Sequence, residues 1–212
     1  MLYGIDVRSP SVPVFKWRAG CPNLDNDTGC TDNMSDIGQT WSTPSAAVIR
    51  TYSATTPVLV FGGGYDKCED EDVAKPACDA TKGNFVYVLN AETGALIRKF
   101  ETDRAVAADV AMVDVNNDGS PDYAYAADIG GGIYRLDFVT SPTALAVAGT
   151  QSDWTFRKVA ATSTLLTTAR RKFLQPPALL YSNNKVYVAI GSGDREHPMI
   201  GDYPYTGVVN RF

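Results

Sequence analysis

The chain has one histidine in 212 residues, no Cys-x-x-Cys pair, no apolar run of transmembrane length and no excess of positive charge. Each lack excludes something. A spanning helix needs about 20 consecutive apolar residues, and none occur. Nineteen Lys and Arg stand against 24 Asp and Glu, a formal net charge of -5, and the cations are not clustered, so a nucleic-acid surface is not expected. His197 has no cysteine near it, so zinc is not expected either and the histidine reads as a loop residue. The N-terminus lacks the basic and apolar regions of a signal peptide. Met1 runs directly into the strand-like LYGIDV, so the chain is expected to begin inside a domain, with any export signal upstream in a longer parent protein.

Helical periodicity is equally scarce, with one weak candidate from Thr162 to Arg171. What is present is a 44% hydrophobic composition, enough for a sizeable core, distributed in short runs that repeat in order. A first kind of strand is PSAAVIR at Pro44, VAMVDV at Val110 and PPALLYS at Pro176. A second is VLVFGGG at Val58, YAYAADIGGG at Tyr123 and VYVAIGSGD at Val186. A third, closing on Asp or Asn, is LYGIDV at Leu2, FVYVLNAETG at Phe85 and IYRLDF at Ile133. A fourth, with an aromatic and a cation, is VFKWRA at Val14, LIRKFET at Leu96 and WTFRKVA at Trp154. These runs are rich in Val, Ile, Tyr and Phe and bounded by Gly, Pro, Asn and Asp, which is the strand signal.

Four strands repeating with long loop insertions read as blades of a β-propeller. The expected fold is all-β, a partial, quinoprotein-like propeller of four-stranded antiparallel blades. Residues 1–20 supply the last two strands of one blade, 44–104 and 105–161 are whole blades, and 172–212 hold the first two strands of another and, at VVNRF, the start of a third. Such an arc should expose apolar surface at its two cut faces. The glycine runs at 62–64 and 130–132 are followed by neither Lys-Ser/Thr nor a helix, so they read as tight strand turns and close packing rather than a phosphate cradle.

Four cysteines allow three pairings. The local pairing, Cys21 with Cys30 and Cys68 with Cys78, is favoured because each would close a short polar loop, and it implies an oxidising compartment.

The stretch with most chemistry in it is DVNNDGSPD, from Asp114 to Asp122. A calcium loop takes oxygens from positions 1, 3 and 5, a backbone carbonyl from 7 and a further carboxylate, with glycine at 6 for the bend. Here Asp114, Asn116, Asp118, the carbonyl of Ser120 and Asp122 fill those places, and Gly119 is at position 6. Magnesium is a poorer match, since it demands a smaller octahedral shell and holds its waters. Tyr125 stands where an EF-hand has its Glu, so the expectation is an EF-like loop on a hairpin holding one Ca2+. Two other acidic stretches, Asp25 to Gly29 and DKCEDED from Asp66 to Asp72, are expected to be a solvated loop and an exposed insertion tip.

GQTWSTPSAAVI at Gly38, VYVLNAETGALIRKF at Val86, DVNNDGSPDYAYAADIGGGIYRLDF at Asp114 and VYVAIGSGDREHP at Val186 together resemble the C-terminal propeller of the PilY1/PilC type IV pilus proteins. The most specific part is the acidic loop running into a GDxxGxxYRxD-like segment, Asp128 to Asp137. The resemblance implies a modified propeller whose calcium controls pilus extension, retraction and twitching motility, in an exported protein of the periplasm, outer membrane or cell surface acting at the pilus tip. It implies major or minor pilins and host or abiotic surfaces as partners, the same five calcium ligands, and no catalysis. No Arg-Gly-Asp is present; Gly193-Asp194-Arg195 has another order. Two alternatives remain open. ETGALIRKF resembles the blade-docking repeats of quinoprotein dehydrogenases that hold pyrroloquinoline quinone, and DVNNDGSPDYAYAA resembles one integrin-type FG-GAP repeat.

Overall fold

The computed structural model describes residues 1–70, 82–140, 149–162 and 171–194. Cys78, His197, the helical candidate over 163–170, the tail of the acidic run at 71–72 and the strand start at 208–212 lie outside them.

The strands follow the repeat. β1 (Leu2–Asp6) and β2 (Val14–Ala19) form a hairpin. β3 (Ser45–Ala47), β4 (Val58–Gly62), β5 (Phe85–Asn90) and β6 (Leu96–Glu101) form an antiparallel sheet in that order. β7 (Ala111–Val113), β8 (Tyr123–Ala127), β9 (Gly132–Asp137) and β10 (Thr155–Ala161) form a second. β11 (Ala178–Ser182) and β12 (Lys185–Ala189) make a final hairpin.

Successive side chains of a strand point to opposite faces, and β5 shows what this does between stacked blades. Val86 and Val88 join Val58, Val60, Phe100, Leu136 and Phe138 in a core between the two four-stranded sheets. Tyr87 and Leu89 belong to a second core with Phe61, Ala19, Met34 and Ile37, against the first hairpin and the loop after it. A strand buried on both faces reads as a continuous apolar run, which is why FVYVLN shows no polar alternation. Burying each large side chain is worth about 1.5–3 kcal/mol. Trp17 docks one unit on the next: its indole Nε1 donates to the Ala91 carbonyl at 3.1 Å. Its ring lies where a Cβ on Gly94 would fall. The ETGALIRKF stretch is thus a docking turn, with Asn90 Oδ1 accepting the amides of Glu92 and Thr93 at 2.9 and 3.0 Å.

At the ends of the arc, Tyr3, Ile5, Val14 and Phe15 are exposed on the first hairpin and Leu180, Tyr181 and Tyr187 on the last. Tyr181 and Tyr187 border a cavity shared with Tyr123, Tyr125 and Arg135 of the preceding sheet. Gly64 shows the close packing expected of the glycine runs. It has φ +99°, and a Cβ there would fall on the Gln39 carbonyl, because Gln39 and Tyr65 exchange backbone hydrogen bonds of 2.8 and 2.9 Å beside it.

Two expectations need correction. The first strands of the whole blades are three residues each, not the longer runs from Pro44 and Val110. After β3 the chain turns early, as Tyr52 and Ser53 both donate to the Ile49 carbonyl; after β7 the acidic loop begins at once. Nor is the run from Asp66 an exposed tip over its described part. Lys67–Asp70 is a short 3-10 helix in which Glu69 is buried, with the Arg104 guanidinium 3.4 Å away. The Asp66 carboxylate is buried too and accepts the amides of Cys68 and Lys82, each at 3.0 Å. An acidic run can be buried where the chain supplies donors and a counter-charge.

Candidate metal-binding loop

The loop joins β7 to β8. Val113 and Tyr123 pair across its base, and the Asp122 amide donates to the Val113 carbonyl at 2.9 Å. Inside it, side-chain oxygens fold onto the backbone as Asx turns do. Asp114 Oδ1 accepts the Asp118 amide at 3.3 Å and Oδ2 the Gly119 amide at 2.7 Å. Asn116 Oδ1 shares the Asp118 amide at 3.0 Å, Asp118 Oδ1 accepts from Ser120 at 2.8 Å, and Asp122 Oδ2 accepts from Val115 at 2.8 Å. Gly119 has φ +87° and Asn117 φ +57°. A Cβ at Gly119 would meet no atom within 4 Å, so glycine is favoured there by backbone conformation rather than by space.

All five residues anticipated as ligands lie on this one loop. Asn116 and Asp118 are exposed, Asp114 is half-buried, and Ser120 and Asp122 are buried. Burial pushes the Asp122 carboxyl above its ordinary range; the amides of Val115 and Asn116 oppose that, and the charges of Asp114 and Asp118 add to it. Among the described residues, the only three His, Cys, Asp or Glu side chains with ligand atoms all within 4.8 Å of one another are Cys21, Asp27 and Cys30. The loop's three carboxylates share one loop without converging that closely. Cys21 and Cys30 form a disulfide, which removes their thiolates from metal chemistry. Cys68 is also disulfide-bonded; its expected partner is Cys78. The loop between Cys21 and Cys30 is not merely solvated, since Asp25 pairs with Lys67 and Asp27 with Lys82.

Two residues the spacing did not single out complete the region. Arg50, in the turn after β3 of the preceding sheet, places Nη1 3.0 Å from Asp118 Oδ2. Its Nη2 donates to the Asp118 carbonyl, and its backbone amide donates to Ser120 Oγ at 3.2 Å. At the other end of β8, Asp128 is fully buried. Its Oδ1 accepts the amides of Gly130 and Gly132 at 2.9 and 2.7 Å, and its Oδ2 accepts the Tyr134 hydroxyl at 2.8 Å. The resembled segment from Asp128 to Asp137 therefore pins the turn from β8 into β9.

The donor set fits a hard cation. Every group the loop offers is an oxygen, three are carboxylates, and a cationic side chain has already been drawn onto Asp118. Stacked four-stranded antiparallel sheets with such a loop on one of them define a β-propeller module carrying a candidate cation site. A model of the PilY1 β-propeller domain matches residues 2–192, and the chain belongs to that family. The type IV pilus biogenesis factor PilY1 of Pseudomonas aeruginosa strain PAO1 is 27% identical over 143 residues, 65% of this chain and 10% of the relative. That of strain UCBPP-PA14 is 32% identical over the same shares. The chain thus spans about a tenth of the length of these relatives. The crystal structure of the Pseudomonas aeruginosa PilY1 C-terminal domain has the same fold, with a TM-score of 0.65 at 22% identity, covering 90% of this chain and 37% of that one. Among the described residues no helix is long and apolar enough to cross a membrane.

Proposed function

We propose that this propeller is part of an exported type IV pilus biogenesis factor and that the loop from Asp114 to Asp122 binds one calcium ion that governs its action in pilus extension and retraction. The observation that carries the calcium reading is the loop itself: alternating oxygen donors gathered on one tight turn, each accepting a loop amide, with glycine in the left-handed conformation at the bend. Asp114, Asn116, Asp118, the Ser120 carbonyl and Asp122 would hold the ion. Bound calcium supplies two positive charges that offset three adjacent carboxylates. The chain's own residues do the rest. Val113 and Tyr123 fix the loop's base on the sheet, and Arg50 ties its outer side to the neighbouring blade. A loop so placed presents a rim that a pilin or another pilus component reads in one state and not in the other.

The pilus reading is supported by the family and by relatives named as pilus biogenesis factors. Calorimetric titration of the chain with calcium, with magnesium as control, tests the site. One saturable calcium site in the range of about 10⁻⁷ to 10⁻³ M, lost in Asp118→Ala, is expected; no binding by folded protein refutes it. In the parent protein, pilus extension and retraction should depend on calcium in the wild type and lose that dependence in Asp118→Ala. Equal responses would refute the regulatory role.

A further inference from the structure

We infer that Arg50 is a built-in competitor for the calcium loop: its guanidinium holds the Asp118 oxygen that the ion requires, so calcium binding and the contact between the two blades at this rim oppose each other. This rests on the calcium reading above. Asp118 has two carboxylate oxygens with different duties. Oδ1 accepts the Ser120 amide at 2.8 Å and so closes the loop's own turn. Oδ2 is the oxygen left to face a cation, and it is the one Arg50 Nη1 approaches to 3.0 Å, with Asn116 Nδ2 at 3.3 Å on the same atom. Arg50 is not a loosely swinging surface side chain. Its amide is fixed to Ser120 Oγ, its second guanidinium nitrogen to the Asp118 carbonyl, and the next residue is anchored in the protein. Thr51 is buried; its hydroxyl donates to the Phe138 carbonyl at 2.9 Å and accepts the Trp154 indole N–H at 2.7 Å.

The segment from Ile49 to Thr51 is therefore a strap between the sheets, and Arg50 is its charged end. For Asp118 to give Oδ2 to calcium, the guanidinium must withdraw or share that oxygen against a doubly charged neighbour. Reciprocity then follows: whatever Arg50 subtracts from calcium affinity, calcium subtracts from the hold of Arg50 on the loop. Both side chains are partly exposed, 43% for Arg50 and 33% for Asp118, so solvent moderates the effect. The strap makes the loop a reporter of blade position: a partner that draws the strap outward would raise calcium affinity, and calcium would ease that movement.

Calcium titration of the wild type, Arg50→Gln and Arg50→Lys tests this, together with amide exchange at Arg50 with and without calcium. Arg50→Gln should bind calcium about two- to fivefold more tightly, Arg50→Lys should fall between, and calcium should speed exchange of the Arg50 amide in the wild type. Calcium bound by the wild type with equal or weaker affinity in Arg50→Gln would overturn the competitor role and leave the site standing. Binding by Arg50→Gln alone would support the role in its strongest form. Failure of every variant to bind calcium would overturn both the role and the site.

Discussion

At one end of β8 a single carboxylate, Asp128, closes the turn into β9; at the other, three carboxylates close the turn from β7. Asp128 is fully buried and meets two glycine amides and a tyrosine hydroxyl. Burial pushes its carboxyl up, and those donors pull it back. The Arg104 backbone amide is a further donor to it, and the chain alone accounts for these contacts. The loop from Asp114 to Asp122 also satisfies backbone amides, but with three mutually repelling charges, of which Arg50 answers one. A neutral version of the same turn exists one blade earlier, where Ser53 Oγ accepts the amides of Thr55 and Thr56 at 3.2 and 2.9 Å. Hairpin geometry therefore needs acceptors but not carboxylates, and the surplus negative charge of this one loop is what the calcium proposal rests on.

The largest effect expected is at the self-sufficient turn. Asp128→Ala strands the amides of Gly130, Gly132 and Arg104 and the Tyr134 hydroxyl and should cost about 3 kcal/mol in denaturant unfolding, with or without calcium. Asp128→Asn, whose amide oxygen can still serve the glycine amides, should cost markedly less. A calcium-dependent loss at Asp128 would break the contrast between the two ends of β8. Next is the strap. Thr51→Val leaves the Phe138 carbonyl and the Trp154 indole without their buried partner and should cost about 2 kcal/mol, while calcium binding persists. Ser53→Ala should cost less than about 1 kcal/mol, since that neutral turn is partly solvated. Smallest is Asp118→Asn with calcium chelated, expected to fall within about 0.5 kcal/mol of the wild type: it loses an exposed pair with Arg50 and relieves repulsion from Asp114 and Asp122.

How much of this was legible beforehand follows from the range over which each signal acts. The strands of both four-stranded sheets are readable because short alternating or fully apolar runs bounded by Gly, Pro, Asn and Asp are a local signal. The end of the first strand is hidden in the sequence because apolar Val48 and Ile49 continue the pattern while the backbone turns at Ile49. The acidic loop is readable as the turn between β7 and β8 because alternating Asp and Asn with Gly119 at the bend is a local signal too. Arg50 is not, since it reaches the loop from the preceding blade with no sequence spacing to announce it. The burial of Asp66 and Glu69 has no local signal for the same reason: the partners that permit it, Lys82 and Arg104, arrive from elsewhere in the chain.

The most direct test is the thermal unfolding of the wild type and of Asp114→Ala in calcium, in magnesium and in chelator. A hundredfold excess of calcium over its dissociation constant should add about 2.7 kcal/mol to the wild type, a rise of roughly 5–10 °C for a chain of this size, with little response in magnesium and none to calcium in Asp114→Ala. An unchanged wild-type melting temperature in saturating calcium would contradict the account and reduce the loop to a polar turn.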